Sequence, residues 1–233
     1  MALAHFNEAI RLEPFMWSAY FSRAQTRQRL GDTKGAITDL NIFLEANPQN
    51  AEALFSRAVL HYDNGQWAGA REDFLKLLSA PASETTTVYF QMDKGNRVNG
   101  MFTAQNDIRP TCLNYLGLID VKLTQYQRAI SYFDSAVALA PKYADGIVNR
   151  GLCYLHLRDT VKALSDFQRA LENSPDNSLA QHNIAVLAGF KGNLRETERM
   201  LSQAIEQKPE VPYSYIERGH VRFRQQNYRG ALA

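Results

Sequence analysis

Cysteine is scarce in this 233-residue chain: there are two, Cys112 and Cys153, and no CxxC pair. Neither a disulfide-stapled fold nor a cysteine-ligated zinc site is expected on that ground. No run of 18 apolar residues occurs, so no membrane-spanning helix is expected. Basic runs are also missing. The 26 Lys and Arg are dispersed against 24 Asp and Glu, the formal net charge is +2, and nucleic-acid binding is not expected. Catalytic signatures are absent as well. Gly95 and Gly100 are five apart, but Met101 follows where a phosphate-binding loop needs lysine. HExxH, GxSxG and paired-carboxylate patterns do not occur. No enzyme activity, cofactor or metal site is therefore expected. No secretory signal is visible, and the compartment stays open.

What the chain does have is a period. Pro14 and Pro48 are 34 residues apart, as are Pro141 and Pro175, and Pro175 and Pro209. Small residues recur in one column (Ala24, Ala58, Gly117, Gly151, Ala185, Gly219) and in another twelve positions on (Ala36, Ala70, Ala129, Ala163, Thr197, Ala231). Four further on lies a bulky apolar column: Leu40, Phe74, Phe133, Phe167 and Leu201. Apolar residues three and four apart between these marks predict helices, as in Leu113, Leu116, Leu118 and Val121. A small residue lets two helices approach closely. Each proline forbids continuation of the helix before it. A period of this length predicts stacked helix pairs, and places function on a surface.

The pattern resembles the tetratricopeptide repeat, most closely in Leu113, Leu116, Gly117, Tyr126, Ala129, Phe133, Ala136, Pro141 and in Ile147, Gly151, Tyr154, Ala163, Phe167, Ala170, Pro175. The resemblance implies an all-α, right-handed superhelical solenoid forming one domain over 1–233. Its repeats span 17–48, 51–82, 110–141, 144–175 and 178–209, with partial ones at 1–14 and 212–233. Glycines 31, 65 and 192 are expected in the turns between paired helices. Neither end offers a polar capping helix, so the chain reads as cut from a longer array and end-to-end self-association is expected.

The resemblance also implies that the first helices line a concave groove through their second, fifth, sixth, ninth, twelfth and thirteenth positions. Carried onto this sequence, the groove residues are Phe21, Gln25, Phe55, Val59, Asn114, Tyr115, Leu118, Asn149, Leu152, His182, Asn183, Val186 and His220. That lining is apolar and aromatic with a few amides, which suits a protein or peptide ligand; Asn149 and Asn183 can donate to and accept from a peptide backbone. His182 and His220 are read as groove residues and not as metal ligands. The lysine–asparagine–arginine clamp by which some relatives hold carboxyl-terminal peptides is replaced by Phe21, Gln25, Glu52 and Ser56. Arg23, Arg57, Arg150 and Arg218 precede the small column. Their stems are expected to pack along neighbouring helices, with heads in water or on a carboxylate. Cys112 and Cys153 fall on adjacent first helices, offset by roughly 10 Å of rise, too far for a disulfide.

About 25 residues interrupt the period at 83–109. Thr85 to Met92 is β-branched and aromatic, 93–96 reads as a turn, and Arg97 to Thr103 is extended again. A β-hairpin with its tip near Gly95 is expected. It is either a loop without function or an insertion that brings Tyr89, Phe90 and Phe102 to a partner. The functional expectation is a non-catalytic scaffold that binds a protein or peptide. The alternatives are an accessory domain of a larger enzyme or sensor protein, and a self-associating spacer.

Overall fold

Short polar side chains start many of the helices. Asp32, Asn50, Asp159, Asn177 and Asn227 each accept a hydrogen bond from the backbone N–H three residues on, at 2.9–3.1 Å. Each such cap stabilises its helix by about 1 kcal/mol. Prolines 14, 48, 141, 175 and 209 stand two residues past the last helical residue of their repeats. A computed structural model describes residues 2–80, 86–92, 98–105, 108–190, 194–207, 209–210 and 212–232, with the backbone alone for 86–92, 98–105, Phe190 and Tyr213.

Two compact halves result, Met1–Ile119 and Asp120–Ala233. In the first, α1 (Ala2–Leu12) precedes the pairs α2 (Trp17–Arg29) with α3 (Thr33–Ala46), and α4 (Ala51–Asp63) with α5 (Trp67–Ser79). Strands β1 (Thr86–Met92) and β2 (Val98–Gln105) follow, and then α6 (Arg109–Lys122), within which the division falls. The second half contains α7 (Tyr126–Leu139), the pair α8 (Ala144–His156) with α9 (Thr160–Asn173), and the pair α10 (Ser178–Phe190) with α11 (Leu194–Gln207). It closes with α12 (Pro212–Arg224) and α13 (Tyr228–Leu232). This is an all-α helical repeat solenoid with one two-stranded insertion.

The cores are the sequence columns. Ala36, Ala70, Ala129 and Ala163 are fully buried, as are Phe74, Phe133 and Phe167. Gly151 lies so close to the Phe167 ring that a Cβ there would be 2.8 Å from Cε1. β1 and β2 pair antiparallel from Thr86↔Gln105 to Gln91↔Gly100, with a one-residue irregularity before Met92↔Val98. The tip expected near Gly95 lies outside the described residues.

The arginine column ties three helices at a time. Arg23, Arg57 and Arg150 each fork Nε and Nη2 onto the carboxylate sixteen residues ahead (Asp39, Asp73 and Asp166) at 2.6–2.9 Å. Their Nη1 groups donate sixteen residues back, to Asn7, Asn41 and Asp134, at 2.7–2.8 Å. Each guanidinium on a first helix therefore joins the second helix of its own repeat to the second helix of the preceding one. The aspartates are buried, and a bidentate guanidinium satisfies both of their oxygens.

The turns within pairs share one backbone state. Gly31 and Gly65 have φ of 78° and 72°, while Thr124, Arg158 and Gln226 hold the same left-handed conformation at 58–62°. Gly192, expected at the equivalent place, lies outside the described residues. A β-branched residue in that region is strained. Thr124→Gly is expected to raise stability by about 1 kcal/mol, read as a higher urea midpoint with an unchanged slope.

Candidate functional site

In the N-terminal half the expected groove residues meet in an aromatic cluster. Phe55 on α4 touches Phe74 on α5 edge-on (6.0 Å) and Tyr115 on α6 edge-on (6.2 Å), and the Tyr115 ring stacks on Phe74 at 4.9 Å and 12°. Tyr62, the penultimate residue of α4, meets Tyr115 at 5.2 Å and Trp67 at 5.4 Å. Burial raises the Tyr62 and Tyr115 phenols above their ordinary range, so both hydroxyls stay protonated and can donate. Phe21 stacks on Phe43 at 4.9 Å, and Gln25 donates to Glu52 at 3.1 Å across neighbouring first helices. Val59 and Leu118 are half-buried, and Asn114 is buried. Tyr62 was missing from the residues singled out above, although it holds the twelfth position of its repeat; Trp67, at the start of α5, had no such signal.

In the C-terminal half, Asn149 and Leu152 are half-buried on α8, Leu152 against the core of Ile147, Val148 and Phe167. Asn183 is buried, and its Nδ2 donates to the Leu179 carbonyl in its own helix (2.8 Å). Val186 and His220 line a cavity of about 70 Å³ with Gly189, Thr197, Glu217 and Arg224. Exposed His220 Nδ1 lies 3.7 Å from Glu217 Oε2, and Arg224 donates to the Gly189 carbonyl at 3.2 Å. Among the described residues no group of three or more His, Cys, Asp or Glu could hold a metal ion, and no helix is long and apolar enough to cross a membrane. Cys112 and Cys153 are free and buried, and burial pushes the Cys153 thiol up to about 12. The side chains of Tyr89, Phe90 and Phe102 lie outside the described residues.

His182 is half-buried, and its Nδ1 is enclosed without a hydrogen-bond partner among the described residues. Desolvation lowers its pKa, with Glu217 opposing. The unfolded chain therefore takes up a proton near the ordinary value of 6.5 more readily than the folded one. Stability contributed by neutral His182 is present above that pH and is lost as pH falls below it toward the folded pKa. Urea titrations of the parent at pH 7.5 and 5 should show that loss, and His182→Gln should make the decline shallower.

Stacked helix pairs carrying a partly open aromatic face define a helical repeat protein of the interaction-scaffold class. Tetratricopeptide repeat profiles match residues 21–84 and 117–185, together more than half of the chain. The chain belongs to the tetratricopeptide repeat family. DnaJ homolog subfamily C member 3 of Rattus norvegicus is 25% identical over 186 residues, 80% of this chain and 35% of that protein. The chain thus spans about a third of that relative's length. Among solved structures, a tetratricopeptide repeat protein from Parabacteroides merdae superposes with a TM-score of 0.72 at 16% identity, over 98% of this chain and 81% of its own. YrrB, a repeat protein with an unusual peptide-binding site, does so with a TM-score of 0.57 at 21% identity, over 90% of this chain and 95% of its own. These two likenesses show the fold.

Proposed function

We propose that this chain is a non-catalytic scaffold that captures a peptide segment of a partner protein on its first helices and so assembles a larger complex. The carrying observation is the aromatic cluster of Phe55, Tyr62 and Tyr115, half-buried rings with two protonated phenols. Such rings offer apolar walls to side chains and donors to peptide carbonyls with few rotamers to freeze. Phe21, Gln25, Val59 and Leu118 extend this face in the N-terminal half. Asn149, Leu152, His182, Val186 and His220 form the candidate face of the C-terminal half, where Asn149 supplies the amide chemistry. Asn114 and Asn183, being buried, act in this reading by shaping the helix faces beside them.

A peptide array followed by titration of the hits tests the proposal. Phe55→Ala with Tyr62→Ala should weaken a true ligand by roughly 30-fold or more, the effect of losing an aromatic hot spot worth about 2 kcal/mol. A ligand indifferent to that variant but lost on deleting 86–105 would move the site to the hairpin. A second reading, an accessory domain within a larger enzyme or sensor, is favoured by the fraction of the DnaJ relative that the chain spans.

A further inference from the structure

We infer that the N-terminal half receives an arginine of its partner peptide, the guanidinium lying on the rings of Tyr62 and Tyr115 and pairing with Asp63. The inference rests on the peptide-capture reading and names the side chain that is captured.

Tyr62 meets Tyr115 at 74° and Trp67 at 62°, and Phe55 meets Tyr115 at 78°. Phe74 covers one face of the Tyr115 ring at 12°. Rings set so steeply to one another form a corner, and a corner presents π-faces on more than one side. A cation within about 6 Å of such a face is attracted by the ring quadrupole. Elsewhere the chain supplies that cation itself: Arg23 lies over Tyr20, Lys162 over Tyr154 and Arg218 over Tyr215, at 5.3–5.7 Å. Among the described residues no cation lies over Tyr62, Trp67 or Tyr115. All three rings are half-buried, so part of each is open to solvent.

The charge beside this corner has the sign that a cation needs. Asp63 is the last residue of α4. The carbonyls that end a helix carry partial negative charge, so a cation there is stabilising and a carboxylate is not. The other first helices obey this or are neutral: α2 ends in Arg29, α6 in Lys122, α8 in His156, α12 in Arg224 and α10 in Phe190. α4 reverses the sign. Asp63 is exposed, and its carboxylate has no hydrogen bond or ion pair among the described residues. Burial chiefly raises the two phenols, the Asp63 charge adds to it at both, and no cation among the described residues opposes it. Aromatic faces beside an unpaired carboxylate, at the negative end of a helix, are the complement of a guanidinium. Arginine suits this place better than lysine, because its plane lies flat on a ring while its edge donates to a carboxylate.

Two pools of twelve-residue peptides test this. Both are random over residues other than Arg and Lys, with a central arginine in one and its neutral isostere citrulline in the other. The immobilised 233-residue chain should retain the arginine pool about fivefold or more over the citrulline pool. Asp63→Asn and Asp63→Lys should abolish that preference and leave citrulline retention unchanged. Asp63→Lys, which puts a cation at the helix end, should also raise the urea midpoint. Tyr62→Leu keeps apolar area and removes a π-face. With the parent's far-ultraviolet circular dichroism, it should reduce the preference about twofold or more. Phe55→Ala with Tyr62→Ala should lose both pools, the result that belongs to peptide capture itself. Equal retention of the two pools by the parent, or a preference that survives Asp63→Asn, would overturn the inference and leave peptide capture standing. Retention of neither pool would overturn both.

Discussion

Asp73→Ala is expected to destabilise the N-terminal half by about 3–5 kcal/mol, the usual effect of removing one partner of a buried ion pair. Asp73 is 1% exposed and both its oxygens are held by the Arg57 fork at 2.7–2.8 Å. Without it a guanidinium whose side chain is 16% exposed keeps Asn41 as its hydrogen-bond partner among the described residues. Arg57→Met should cost a similar amount, because it leaves the carboxylate alone in the same place. The double variant Arg57→Met with Asp73→Leu should recover most of the loss, since packing can replace a buried pair while half a pair is costly. Urea denaturation of the four proteins measures this. Single variants that each cost under about 1 kcal/mol would mean that water reaches the fork.

The same contacts show what was legible in the sequence. The spacing of Ala36, Leu40 and Pro48 and of their column mates is enough to place helices, turns and cores, because a repeat must bury the same face each time. The interruption at 83–109 stands out because the β-branched residues of its Thr85–Met92 stretch contradict a helical period. The destination of the arginine heads was harder to read. Arg57 is sixteen residues from both Asp73 and Asn41, which becomes visible only when second-helix columns are compared across repeats. The amides show a further limit. A place in the repeat assigns Asn183 to a side of α10, but its burial and its bond to the Leu179 carbonyl decide whether that amide meets a ligand. Nor does residue type announce the left-handed turns at Thr124 and Arg158, which are marked only by alignment with Gly31 and Gly65.

Phe167→Ala should cost about 3–5 kcal/mol in the C-terminal half, and its dependence on Gly151 tests why the small column is small. The ring is fully buried and packs with Ile147, Val148, Ile184 and Leu187, so its removal leaves a cavity that helices tied by the Arg150 fork cannot close. Gly151→Ala adds about 1 kcal/mol of helix propensity. It also sets a methyl 2.8 Å from Phe167 Cε1 and 3.2 Å from Asp166 Cβ. A ring enclosed on every side cannot swing away, and overpacking outweighs propensity, for a net loss of about 1–2 kcal/mol. In the Phe167→Ala background the obstacle is gone, so Gly151→Ala should become neutral or stabilising and reverse its sign. A double-mutant cycle in urea measures that reversal as a coupling energy. Strict additivity would show that the two helices do not depend on this contact for their approach, and the glycine would then need another explanation.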